Sequence, residues 1–254
     1  MLNQLHIAQI TDMHITETDK PFHGVEVRKQ FLQVIQLLKQ RPLDLLILSG
    51  DLAAEWGEIE SYQWIKNQLA DFPCPFIIMA GNHDKVKNLV QVFDLPSTDI
   101  VAGMLCFTRR IQGKLLIFLD SSNYTLPTAQ LAWLATQPMD EQALLFIHHP
   151  PMLCGSRFMD AGYGLQNIEE TWATLARFPL INHIFCGHYH TAKTLQNQDK
   201  QIYLTPSTSL QIDTQPLEFT VEHTTPGWRT ILWQDSQVTT FVEYLDSNDA
   251  QVTK

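Results

Sequence analysis

The chain has 254 residues, 44% hydrophobic and 17% charged, with a formal net charge of -10 and a pI near 5.4. That composition suits a soluble chain with a sizeable core, and the acidity argues against duplex nucleic acid as a partner, because such binding rests on clustered Lys and Arg. A small anionic substrate stays compatible with it, since bound cations would dominate the local field.

In chain order, Leu5 to Ile10 is a short apolar run, closed by the polar Thr-Asp-Met-His. Val27, Phe31, Val34, Ile35 and Leu38 recur at helical spacing. Leu45 to Leu48 is uninterrupted apolar sequence ending in Ser-Gly-Asp, and a helical stretch follows around Trp64 and Leu69. Pro75 to Ala80 reads as the next strand, closed by Gly-Asn-His-Asp. Leu115 to Leu119 predicts a strand, Thr128 to Thr136 a helix, and Leu144 to Ile147 a strand that runs into His148-His149-Pro150-Pro151. Ile168 to Leu175 reads as helix, and Ile181 to Cys186 as a strand ending in Gly-His-Tyr-His. Beyond Gln201 the pattern turns to short β stretches at Ile202–Thr205, Leu217–Val221, Trp228–Trp233 and Val238–Tyr244. Apolar strands alternating with amphipathic helices predict an α/β fold with strands covered on both faces. We expect a single domain over residues 1-246 and a polar tail over 247-254.

Cys74, Cys106, Cys154 and Cys186 form no CxxC pair, so neither a zinc knuckle nor a redox motif is present. The N-terminus lacks the pattern of a signal peptide and no apolar run nears membrane-spanning length. A reduced cytoplasmic protein with no membrane partner is expected.

The chemistry lies where the strands stop. Asp12 and His14 follow the first strand, Asp51 the second, Asn82 and His83 the third; His148 follows a later one, and His188 with His190 the last of this set. Ligands in open α/β sheets gather outside the carboxyl ends of strands, so five strand ends would deliver carboxylates, imidazoles and an amide toward one edge. These donors suit Mn, Fe and Zn ions rather than a soft thiolate site. One carboxylate can bridge two cations, and two cations about 3.5–4 Å apart can clamp a phosphate and supply hydroxide near neutral pH. The glycines before Asp51, Asn82 and His188 would permit the tight backbone this requires. Singly, each motif has a duller reading: Asp12 as a turn or helix-cap residue, Gly50-Asp51 as a turn, His148 as a satisfied strand end. Five in this order at strand ends point to function.

The segments ITDMH, LSGDL, AGNHD, FIHHPP and CGHYH resemble, in order, the five motifs of the calcineurin-like metallophosphoesterase superfamily. FHGVEVRKQFLQVI, SRFMDAGYGLQN, TPSTSLQ and PGWRTILW look like its bacterial class III cyclic-nucleotide phosphodiesterases, a likeness that spans nearly the whole chain. The resemblance implies a four-layer αββα sandwich with the site at a sheet edge and two metal ions, Fe and Mn, with Zn as the alternative. It implies that Asp12, His14 and His190 hold one metal, that Asn82, His148 and His188 hold the other, and that Asp51 bridges them. His148 is preferred over His149 because family ligands here follow H-x-P. His83 would be the catalytic histidine that is not a ligand, and Asn82, His83 and His190 would touch substrate. His149 would contact substrate, sit behind the ligands, or serve the core. The activity implied is hydrolysis of 3′,5′-cyclic AMP to 5′-AMP by a metal-activated hydroxide, with a glycerophosphodiester or other diester as the alternative. A phosphomonoesterase and a non-catalytic scaffold are further readings. Protein phosphatases of the superfamily carry an Asp three residues beyond the bridging one; Ala54 stands there, which weakens a phosphoprotein-phosphatase reading and disfavours a phosphomonoesterase, and every ligand position is filled, which weakens the scaffold.

Other residues are read as structural. Asp84 is assigned to the N-terminus of a helix, with orienting a neighbouring group as the alternative. Trp56, Trp64, Trp133, Trp172, Trp228 and Trp233 are read as core or interface anchors rather than base-stacking platforms. His6, His23, His183 and His223 are read as ordinary, with the lining of a nucleotide pocket as the alternative for His23.

Overall fold

A computed structural model describes residues 4–246, so the expected tail at 247–254 lies outside the described residues. In chain order the elements are β1 (Gln4–Ile10), α1 (Val27–Lys39), β2 (Leu45–Ser49), α2 (Ile59–Gln68), β3 (Phe76–Met79), α3 (Val86–Phe93), β4 (Ile100–Val101), β5 (Met104–Leu105), β6 (Phe107–Ile111) and β7 (Lys114–Leu119). There follow α4 (Thr128–Thr136), β8 (Ala143–Ile147), α5 (Arg157–Gly162), α6 (Ile168–Leu175), β9 (His183–Cys186), β10 (Lys193–Asn197) and β11 (Lys200–Leu204). The chain closes with β12 (Gln211–Ile212), β13 (Val221–His223), β14 (Gly227–Gln234) and β15 (Gln237–Tyr244).

The strands divide into two main sheets. The first has the order β15-β14-β1-β2-β3 and the second β10-β11-β9-β8-β7-β6. In the first, β1, β2 and β3 are parallel through the crossovers α1 and α2, and β14–β15 add an antiparallel hairpin beside β1. In the second, β7, β8, β9 and β11 run parallel between antiparallel edges.

Strand periodicity sorts the apolar side chains into two cores. Leu5 and Ile7 of β1, Leu45 and Ile47 of β2, Leu116 and Phe118 of β7, and Leu144 and Phe146 of β8 pack together between the sheets. Their alternates, among them Ala8, Ile10, Leu46, Leu48, Leu115, Ile117, Leu145 and Ile147, face the helices. Val27, Phe31, Val34, Ile35 and Leu38 turn the buried face of α1 inward, as their spacing predicts. On the inner face of the second sheet the rings of Phe107, Phe118, Phe146, Phe185 and Tyr203 stack in one row, with centroid separations of 4.8, 5.2, 5.1 and 4.8 Å. Stacking across neighbouring strands adds to area burial and ties five strands together. The result is the expected four-layer αββα order of helices, sheet, sheet, helices.

Four features differ from the sequence reading. The strands β6 and β10 have mixed or polar sequence on sheet edges, and α3 is short; none has the long apolar period that betrays an element. The strand expected at Leu217–Val221 is replaced by an irregular segment with a strand only at Val221–His223, pinched off by the Asp213 N–H to Thr220 carbonyl bond. Asp84 is not a helix cap, because α3 begins after Lys85 without a side-chain cap. Trp228 and Trp233 are buried anchors, but Trp56 is 73% exposed. Among the described residues, no helix is long and apolar enough to cross a membrane.

Candidate metal centre

The predicted donors follow the carboxyl ends of β1, β2 and β3 in one sheet, and of β8 and β9 in the other. The edge they occupy is therefore made jointly by both sheets, which sequence periodicity could not indicate. Donor atoms of Asp12, His14 and His190 lie within 4.8 Å of one another, as do those of Asp51, His148 and His188. A third cluster joins His14, Asp51 and His83. Asp51 thus belongs to two clusters and its Oδ2 lies 3.2 Å from His148 Nε2 and 3.8 Å from His14 Nε2. Asp12 Oδ1 lies 3.3 Å from His190 Nε2 and 3.7 Å from His148 Nε2. Asn82 lines the same cavity, and its buried Oδ1 accepts no hydrogen bond from the protein.

Backbone conformation aims these side chains. Asp12, His14, Asp51, His188 and His190 all sit at positive φ, between 46° and 65°. For residues with a Cβ this conformation costs on the order of 1–2 kcal/mol each, and such strain concentrates at functional sites. Close approach matters as well. A Cβ on Gly81 would collide with Asp51 and stand 2.8 Å from His148 Nε2, and one on Gly187 would collide with Thr11 and stand 2.8 Å from Asp12 Oδ2. Neither of these glycines needs a positive φ; both are required for room.

Hydrogen bonds fix the cluster from behind. Nδ1 of His148 donates to the Ser49 carbonyl at 2.9 Å, and Nδ1 of His190 to the Leu210 carbonyl at 3.0 Å. Nε2 of His188 donates to the Tyr163 carbonyl at 2.8 Å. A carbonyl can only accept, so in each ring this nitrogen carries the proton and the other is the one available to a metal. Asp84 accepts from the amides of Leu52, Ala53 and Gly81 and from the Tyr62 hydroxyl, clamping the Asp51 loop to the Asn82 loop. The TPSTSLQ segment is a buried brace: Ser207 Oγ donates to the Asp12 carbonyl, and the Thr208 amide to that of Thr11. Within SRFMDAGYGLQN, Asp160 accepts from the amides of Cys154, Gly155 and Ser156 and from the Tyr189 hydroxyl, so this segment holds the Gly-His-Tyr-His strand end.

The electrostatics favour cations. Burial opposes charge on Asp12, but His190 and His148 outweigh it and hold the carboxyl at about 2; Asp51 is likewise held well below the usual carboxylate range, chiefly by His148. Burial also opposes charge on His148, yet Asp51 and Asp12 carry it up to about 10. Positive charge between these groups is therefore stabilised. Burial lowers His14 to about 3 and His188 to about 4, leaving both rings neutral with a lone pair to offer. Buried donors, an unpartnered amide oxygen and two carboxylates meet the requirements of an oxygen- and nitrogen-liganded metal pair.

His83 is half-buried on the cavity wall, its amide donating to Asp51 Oδ1 at 2.8 Å and its ring edge-on to His14 at 4.8 Å. Its Nδ1 has no hydrogen-bond partner, and Ala54, which carries no polar group, lines the same cavity. His149 is not in the cavity wall. Its Nδ1 meets Ser121 Oγ at 2.9 Å, its ring lies 3.9 Å from that of His188, and burial pushes its pKa well below 6.5. Its place is behind the cluster, as a packing partner of His188. His6, His183 and His223 lie outside the cavity, whereas His23 lines it.

A model of the calcineurin-like phosphoesterase family matches residues 5–192, a span that takes in every donor described above. The chain belongs to the calcineurin-like phosphoesterase family. Membership makes it a metal-dependent phosphoesterase. A probable cyclic nucleotide phosphodiesterase of Fibrobacter succinogenes is 41% identical over 243 residues, 94% of each chain. The 3′,5′-cyclic adenosine monophosphate phosphodiesterase CpdA of Escherichia coli is 29% identical over 95% of this chain and 90% of its own. Among solved structures, a dimetal phosphatase from Danio rerio matches with a TM-score of 0.66 at 11% identity, over 94% of this chain and 98% of that one. A purple acid phosphatase from yellow lupin matches at 0.70 and 12%, over 98% of this chain and 55% of that one. These two establish the likeness of fold.

Proposed function

We propose that the chain is a dinuclear-metal phosphodiesterase that hydrolyses 3′,5′-cyclic AMP to 5′-AMP. The observation that carries this reading is the convergence of three overlapping donor clusters, Asp12 with His14 and His190, His14 with Asp51 and His83, and Asp51 with His148 and His188, at a cavity of about 690 Å³, within the usual range for small-molecule sites. Asp12, His14 and His190 would hold one ion and Asn82, His148 and His188 the other, with Asp51 shared by both; Fe with Mn is the proposed pair, and Zn suits the same donors. The bound ions would polarise the phosphoryl oxygens and supply an activated water. The protein's own part is to place the phosphate. Asn82, His83 and His190, all on the cavity wall, contact it, and His83 protonates the departing ribose oxygen. The identity of the relatives supports a cyclic diester as substrate, and Ala54, on the same cavity wall as His83, disfavours a monoester. The reading places the activity in the cytoplasm, where the four free cysteines stay reduced.

The test compares kcat/KM for cyclic AMP, 5′-AMP and glycerophosphoethanolamine at equal metal loading. Cyclic AMP is expected to be the best of the three. A preference for 5′-AMP overturns the diesterase reading, while a preference for the glycerol diester overturns only the choice of diester.

A further inference from the structure

An arc of rings leaves the metal cluster. Phe22 stacks on His14 with centroids 4.5 Å apart and planes 6° from parallel. His23 stands edge-on to Phe22 at 4.6 Å and leans on Phe219 at 5.1 Å. Phe219 meets Phe158 at 5.9 Å, and Phe158 meets Tyr163 at 4.9 Å. Tyr163 closes the arc, because its carbonyl receives His188 Nε2. The arc therefore begins at one proposed metal ligand and ends at another, with all five rings on the cavity wall. Trp56 lines the same cavity.

Several of these side chains pay no part in the core. Trp56 is 73% exposed, Phe219 and Tyr163 each 41%, and His23 is exposed at a φ of 47°. Exposed aromatics gathered around a cavity mark a binding surface. Apart from the proposed ligand Asn82, the wall carries no amide, guanidinium, serine or threonine side chain; its base-reading groups beyond the ligands are the Glu55 carboxylate and the hydroxyls of Tyr124 and Tyr163, fewer than the aromatic faces around them. What it offers is π-faces, and every nucleobase has a π-face to stack on them.

We propose that this aromatic wall is the subsite for the nucleobase of the substrate and that it holds the base by stacking, so that purine and pyrimidine cyclic nucleotides are both accepted. The proposal rests on the diesterase reading for its substrate and adds what recognises the half of the molecule remote from the phosphate.

Stacking made equally in the ground and transition states raises KM when lost and leaves kcat in place. Phe219→Ala and Trp56→Ala, both at exposed positions, are expected to raise KM for cyclic AMP and for cyclic CMP about tenfold to hundredfold, the scale of one lost base stack. The inhibition constant of inorganic phosphate should not move, because phosphate touches only the metal end. A second measurement needs no turnover: 5′-AMP should quench tryptophan fluorescence of the metal-loaded protein, ribose 5-phosphate should not, and the quench should vanish in Trp56→Phe. Unchanged KM in both alanine variants, or equal quenching by the two phosphates, overturns the subsite. Wild-type kcat/KM for cyclic AMP more than about a hundredfold above that for cyclic CMP overturns readout by stacking alone. If no cyclic nucleotide is cleaved, the diesterase reading falls, and selective quenching by 5′-AMP still decides for or against the base site.

Discussion

Asp51→Asn is expected to reduce turnover of cyclic AMP by about 10³-fold or more and to lower bound metal from two ions per chain to one or none. Losing one preorganised charge-stabilising group costs on the order of 10²–10³-fold in an enzyme, and Asp51 stands between two clusters rather than one. The substitution preserves shape and keeps an oxygen to accept the His83 amide. It removes the charge that faces His148 Nε2 at 3.2 Å and His14 Nε2 at 3.8 Å, and it turns an N–H₂ toward one of the clusters. The effect should therefore come from metal binding and not from unfolding. Metal content and kcat measured on the same preparation check this. Two ions retained with activity within tenfold of wild type would remove Asp51 from its bridging role.

His83→Ala is expected to separate the chemistry of the leaving group from metal binding. Because Nδ1 of His83 has no hydrogen-bond partner, its ring is oriented by the Asp51 contact of its backbone and by its packing against His14. A proton delivered by this ring matters most when the departing oxygen is a poor leaving group. Loss should be about 10²–10⁴-fold in kcat on cyclic AMP, the scale of general acid catalysis, and far smaller on bis(p-nitrophenyl) phosphate, with both metals retained. Equal losses on the two substrates place His83 on the phosphoryl oxygens. Loss of metal instead makes it a ligand, which its cluster with His14 and Asp51 gives concrete form.

The donors were legible in the sequence because each lies within a few residues of a strand end, and strand ends are local features. The convergence of Asp12, Asp51, His148, His188 and His190 followed from a rule about sheets, without any pairing being known. What holds them was not legible. Ser207 donates to the Asp12 carbonyl across 195 residues of sequence, and the His188 amide donates to Asp12 across 176, so TPSTSLQ could be matched to a family but not given a job. Asp84 shows the same limit at shorter range: three of its four partners lie 22 to 32 residues away, and only its position before α3 was visible. Burial escapes the sequence too. Trp56 and Trp228 are the same residue type, and only tertiary packing leaves one 73% exposed on the cavity wall and the other 1% exposed in the core. The split of the ligand-bearing strands between two sheets belongs to the same class, since apolar period identifies a strand but not its neighbour.

The central claim is that one chain holds two metal ions shared through Asp51, and elemental analysis of the purified protein against its activity tests it most directly. About two equivalents per chain are expected, since seven donors exceed what one tetrahedral site takes. Chelation should abolish hydrolysis of cyclic AMP, and Mn²⁺ or Fe²⁺ should restore it as occupancy returns. Undiminished turnover in protein shown to be free of metal would contradict the account.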